Sequence, residues 1–109
     1  RVSLKELGDY VGVAVHLKGP LPCDVLGVRD SAVRAGARGA LILLYEGGSL
    51  LLPPDMEELD KYMPKLSREV SSMFELRDGD VVIVAFSENL GDSVRGVVGA
   101  LSHARRNRF

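Results

Sequence analysis

Hydrophobic patterning along the 109 residues predicts an α+β fold. Three observations carry this reading. Val11, Val13, Val15 and Leu17 alternate with Gly12, Ala14, His16 and Lys18, the period of two expected of a strand. Ala40 to Tyr45 and Val81 to Phe86 are unbroken apolar runs of strand length, the second rich in branched residues. Helical spacing fills most of what lies between. In chain order the elements read helix, strand, helix, strand, strand, helix, strand, helix. The central six match a ferredoxin-like split β-α-β order, with an additional C-terminal helix. A small α/β three-layer domain is the alternative. The length fits a single domain over residues 1–109.

The first element is expected to be a short helix, because Ser3 and Glu6 have the spacing of a capping box and Gly8 follows Leu4 and Leu7. The alternating strand comes next. Its small residues would let a helix approach closely. Gly19, Pro20, Leu21 and Pro22 then make a loop, since proline donates no hydrogen bond to a ladder. Asp30 or Ser31 is expected to cap a short helix ended by Gly36. The run Ala40–Tyr45, the pair Gly47–Gly48 and the run Ser49–Leu52 form a β-hairpin.

Pro53 and Pro54 suit the first turn of a helix, with Asp55, Glu57 and Glu58 at the positive end of its dipole and Met56, Leu59, Tyr62 and Met63 on one side. Pro64 should break or kink that helix before Leu66, Val70, Met73 and Phe74 resume the spacing. Val81 to Phe86 is a buried strand. Asp92 or Ser93 is expected to cap the last helix, in which Gly96, Gly99 and Ala100 form a small-residue side; a strand over Val94 to Leu101 is the competing reading. Strands that are apolar on both sides need cover above and below. The terminal helix or a partner subunit could supply it.

A net charge of -1 and a pI near 6.1 give no overall steering toward nucleic acid or an anionic membrane. The apolar runs are far shorter than the roughly 20 residues a membrane-spanning helix needs, and no secretory leader is visible. With one cysteine, Cys23, no internal disulfide can form, so a cytoplasmic setting is expected. The absence of Gln and Thr and the scarcity of Asn fit a thermophilic source. A start at Arg1 leaves the N-terminal boundary open.

The best candidate site is the loop from Ser87 to Ser93, between the most buried strand and a helix start, where backbone N–H groups can receive an anion. Ser87, Asn89, Gly91 and Ser93 are its candidate ligand-binding residues. The stretch from Asp80 through Ser93 is similar to the second half of sugar isomerase (SIS) phosphosugar-binding domains, in which a Ser/Thr-rich loop holds the sugar phosphate. That resemblance covers under a third of the chain and implies a phosphorylated small molecule as ligand. Two features depart from the family pattern: the Ser-Gly-x-Thr spacing is absent, and Glu88 and Asp92 place negative charge in the loop.

Cys23 and Arg29 have the Cys-x5-Arg spacing of cysteine phosphatases, a spacing that arises easily in an arginine-rich chain. No metal site or cofactor is expected: His16, His103 and Cys23 form no local ligand pair. The acidic group at 55–60 is explained by its place in a helix's first turn. Arg105, Arg106 and Arg108 form a basic tail, read as a solvated helix end, and the lack of paired aromatics argues against RNA. No catalytic residue can be assigned. The preferred reading is a non-enzymatic binding or assembly module that forms a homodimer or docks on a protein partner through an apolar sheet or helix surface.

Overall fold

The computed structural model describes residues 1–106. Six strands form one sheet: β1 (Val2–Leu4), β2 (Tyr10–Leu17), β3 (Gly39–Glu46), β4 (Ser49–Leu52), β5 (Glu57–Glu58) and β6 (Val81–Ser87). Three α-helices accompany it: α1 (Val25–Arg34), α2 (Pro64–Met73) and α3 (Leu90–Arg106). The strand order is β1-β2-β6-β3-β4-β5, and every neighbouring pair is antiparallel.

Both architectures expected from the sequence are therefore corrected. In this sheet β6 lies between β2 and β3, and no parallel pair exists from which an α/β layer could be built. The chain also begins with a strand. Ser3 and Glu6 do not cap a helix of their own: Ser3 N donates to Glu69 Oε1 at 3.3 Å, and Glu6 Oε1 accepts from Leu66 N at 3.0 Å. Glu6 thus caps α2, whose N-terminal Met63 has no capping side chain. Burial of Val2 and Leu4 holds β1 on the sheet, and their side chains cover Gly12, where a Cβ would come within 2.7 Å of both. The small side of β2 thus receives β1 side chains, where a helix was expected.

The expected helix at 53–63 is absent. Pro53 to Met56 make a four-residue turn closed by Met56 N donating to Leu52 O at 2.8 Å, and β5 then pairs back on β4. Leu59 and Met63 are buried, which is the apolar spacing visible in the sequence, but they sit in a 3-10 turn, Leu59–Lys61, and beyond it. Pro64 opens α2 at a position where its missing N–H is no loss. Asp24, six residues before the expected Asp30, caps α1 through Gly27 N at 2.9 Å. The 47–48 hairpin is present, with φ of 60° and 81° at Gly47 and Gly48. The last segment is helix, not strand.

Strand β6 is buried on both sides. Val81, Ile83 and Ala85 join a cluster with Val28 and Ala32 of α1 and Val97, Ala100 and Ala104 of α3. Val82 and Val84 join the opposite cluster, with Leu59, Leu66 and Val70. The terminal helix supplies cover together with α1, and they meet through small residues: a Cβ at Gly99 would lie 2.7 Å from Ala35 Cβ, and one at Gly96 2.5 Å from Ala37 Cβ. No helix among the described residues is long and apolar enough to cross a membrane. Arg108 lies outside the described residues.

Candidate functional site

The loop favoured by the sequence is a closed polar junction. Asn89 caps α3: its Oδ1 accepts from Asp92 N at 2.9 Å and its Nδ2 donates to Asp92 Oδ2 at 2.9 Å. The expected caps, Asp92 and Ser93, are inside the helix. Ser87 and Ser93 are only 1% and 0% exposed. Ser87 Oγ lies 2.6 Å from Asn89 O and 3.1 Å from Ser93 Oγ, while Ser93 Oγ bonds Val11 O at 2.6 Å. Both hydroxyls therefore tie the start of α3 to β2 and β6. Gly91 stands in the first turn beside Arg95, which pairs with Asp92. The Arg95 guanidinium, then the Asn89 amide, hold the Asp92 carboxyl below its ordinary range.

The two histidines each meet an aspartate. His16 Nε2 lies 2.7 Å from Asp80 Oδ2, and Asp80 also accepts from Arg77 N at 3.0 Å; these bonds lower the Asp80 carboxyl, His16 contributing most. His103 Nε2 lies 3.1 Å from Asp24 Oδ2 and so joins the end of α3 to the start of α1. The Asp24 carboxyl is lowered chiefly by Gly27 N and secondly by His103. The two His–Asp contacts join elements distant in sequence. Among the described residues no group of three or more His, Cys, Asp or Glu could hold a metal ion.

Cys23 and Arg29 do line one cavity, of about 440 Å³, with Leu21, Leu26, Pro53, Pro54 and Met56. It is not a phosphate cradle. Residues 25–29 are helical, and the Asp24 carboxylate already occupies Gly27 N. The cavity is mainly apolar. It is adjoined by a smaller one of about 210 Å³, between Val25, Arg29, Ala40, Ile42 and Pro53, and by one of about 450 Å³ containing Leu7, Leu41, Leu52 and Tyr62. Pro53 borders all three, so they form one cleft around it.

This cleft gathers side chains that burial would normally remove from water. Leu26 is 67% exposed, Tyr62 55% and Met56 40%. Met56 has a φ of 57°, a conformation that a non-glycine residue adopts only at some energetic cost. The four-residue turn needs a left-handed residue at its end, and here the chain uses methionine, a flexible and polarizable side chain that adapts to varied surfaces. The sequence signal was present in the Pro-Pro-Asp-Met stretch but read there as a helix start.

The cleft also borders one edge of β3. Tyr45 N donates to Asp80 O at 2.8 Å, which sets the phase of β3 on β6: residues 39, 41 and 43 face β6, while 40, 42, 44 and 46 face the other way. Leu44 and Glu46 find Leu51 and Ser49 of β4. By the same register Ile42 would meet Pro53, which has no N–H, and the chain turns away there. Ala40 and Ile42 are left facing the smaller cavity with no strand beside them.

A family described as a domain of unknown function, DUF4443, matches residues 11–104, from the start of β2 nearly to the end of α3. The chain belongs to the DUF4443 family. The whole cleft apart from Glu6 and Leu7 lies inside the matched part of this DUF4443 domain. No curated protein matches it. Among solved structures, a hypothetical protein from Pyrococcus horikoshii OT3 superposes with a TM-score of 0.83 at 23% identity, over 98% of this chain and 55% of that one. At that identity the likeness establishes a shared fold. The DUF4443 domain spans about half the length of that protein.

Proposed function

We propose that this DUF4443 domain is a non-enzymatic binding module that docks a protein partner in the cleft around Pro53. The observation that carries this reading is the convergence of Leu26, Met56 and Tyr62, all substantially exposed, on adjoining cavities lined mostly by apolar side chains. An apolar concave surface with a few polar groups at its rim is the ordinary form of a binding site. Arg29, Asp55 and Glu57 supply such a rim, and none of them forms an ion pair among the described residues.

Methyl and amide NMR during a screen of small apolar fragments tests the reading. Shifts are expected at Leu26, Leu52 and Met56, and Leu26→Lys should remove them. A screen that moves none of these signals refutes the cleft as a site. Phosphate-bearing metabolites that instead move Ser87 to Ser93 would favour the phosphorylated-ligand reading of that loop. Self-association mapped to the same cleft would make the partner a second copy.

A further inference from the structure

Most of the unpaired edge of the sheet resists a partner strand. On β1 the Ser3 N–H points away from β2 and is held by Glu69 Oε1, and Leu4 O accepts from Leu7 N. β5 is two exposed glutamates, a charged edge of the kind that deters pairing. Ala40 and Ile42 of β3 are only 5% and 3% exposed. Among the described residues, β2 beyond Gly12 is different, because β1 covers it no further. Since 39, 41 and 43 of β3 take the even residues of β6, the odd ones are left for Val13, Val15 and Leu17 of β2. Ala14 and His16, both part exposed, therefore turn their N–H and C=O groups outward, where no strand lies beside them.

Above this edge stands an uncovered flank of α3. The helix buries Ser93, Val97, Ala100 and Ala104, and its Gly96 and Gly99 meet α1, which fixes α1 on one flank. Leu90, Val94 and Val98, four residues apart, run along the opposite flank and are 42%, 45% and 57% exposed. α3 packs on β6 and β2, while α1 packs on β3, so the exposed stripe overhangs the free edge of β2. Val13, Val15 and Leu17 lie beneath it, half-buried against the same core.

We infer that a second copy of the chain covers both the edge and the stripe, with the two β2 strands paired antiparallel about a twofold axis through Val15. Three features fit a copy of this chain. Val13 to Leu17 is bounded by Val2 of β1 at one end and by Gly19–Pro20 at the other, and the same five residues of a second copy fill that space. His16, the only titratable side chain among them, falls opposite Ala14, so no like charges meet, and each Ala14–His16 pair exchanges two main-chain bonds. Because α3 lies over two strands, its counterpart stands two strand spacings away, about 10 Å, which is the separation of packed helices. The two apolar stripes then close on each other. A segment of the same chain beside β2 would cover the edge but leave the stripe, a layer above the sheet, in water. The contact covers roughly 1,000 Å² in total, the low end for a specific interface, so a dimer that dissociates at micromolar concentration is expected. It lies across the sheet from the cleft around Pro53 and is independent of it.

Sedimentation velocity of the full chain from about 1 μM to about 1 mM, a range that reaches weak dimers, tests the inference. A reversible monomer–dimer equilibrium is expected, with amide exchange at Ala14 and His16 slowing as the dimer forms. Val94→Lys with Val98→Lys, both at exposed positions, brings four like charges into the twofold contact and should weaken it by about tenfold or more, while apolar fragments still bind the cleft. Ala14→Pro removes an outward N–H without touching the β6 ladder and should weaken the dimer comparably. A strict monomer at about 1 mM overturns the inference, whatever the cleft binds. Slow exchange at Ala14 and His16 that does not depend on concentration overturns it too, since the chain itself would then cover the edge. So does a dimer that survives both variants but is lost in Leu26→Lys, which would move the contact to the cleft.

Discussion

Two loops of this domain invite comparison, both toward the end of the sheet at which β6 and β4 finish. The Ser87–Ser93 junction is polar in sequence, and its two serines and Asn89 are spent within the fold: Asn89 on the first turn of α3, Ser93 on Val11 O, and Ser87 on Asn89 O and Ser93, while Glu88 pairs with Arg38 at the surface. The Pro53–Met56 turn is largely apolar, yet it faces a cleft and holds Met56 in a strained conformation. Polar composition in a loop is thus a poor guide to where a partner binds. What matters is which hydrogen bonds and apolar surfaces are left unfinished, and those remain at the apolar turn.

The contrast can be broken at either end. The largest effect is expected at the seat of α3: Gly96→Val would drive its side chain into Ala37 and Ala85, and overpacking of this kind costs about 3 kcal/mol. Urea denaturation would measure it, and a loss under 1 kcal/mol would show that α3 can shift on the sheet. Next comes Ser93→Ala, which leaves Val11 O without its hydroxyl partner and should cost about 2 kcal/mol in the same experiment.

Acid should act through three carboxyls, of which Asp92 alone belongs to the closed junction. The lowered carboxyls of Asp24, Asp80 and Asp92 are held by bonds to Gly27 and His103, to His16 and Arg77, and to Arg95 and Asn89. A carboxyl whose native value is depressed stabilises the fold above its unfolded value, about 3.9, and that stabilisation is lost as pH falls through the native value. Unfolding midpoints measured from pH 6 to pH 2 should therefore drop below about pH 4. Asp80→Asn should be less stable at neutral pH but show a shallower acid loss.

At the open turn the expected effects are small and one reverses sign. Met56→Gly relieves a left-handed conformation worth about 1–2 kcal/mol and loses part of that gain to backbone entropy, for a net stabilisation of about 0.5 kcal/mol. A destabilised variant would mean that Met56 holds the cleft together in the free protein. Leu26→Lys should change stability by less than about 0.5 kcal/mol while abolishing fragment binding, since an exposed side chain contributes little to the core.

Several elements were legible because their causes are local. The alternation at 11–17, the Gly47–Gly48 turn and the branched run at 81–86 each dictate a strand or hairpin from neighbouring residues alone, and all three are present. Elements whose partners lie far away were misread. Glu6 looked like part of a box with Ser3 but caps α2 sixty residues on. The acidic residues after Pro54 looked like a helix's first turn, yet Met56 closes a hairpin and Glu57 pairs with Leu52. The cleft could not be read from any one stretch, because Arg29, Ile42 and Pro53 come from three elements.

By itself the sequence determined that two strands would be apolar on both sides and that each side would need covering, since side chains alternate across a strand whatever its neighbours are. Tertiary structure alone decided the order of strands, and so which helix covers which side. That order depends on pairings between distant segments whose local patterns suit several neighbours equally. It also decided which strand edge stayed open, for the register of one hairpin brought a proline opposite Ile42 and ended the ladder there.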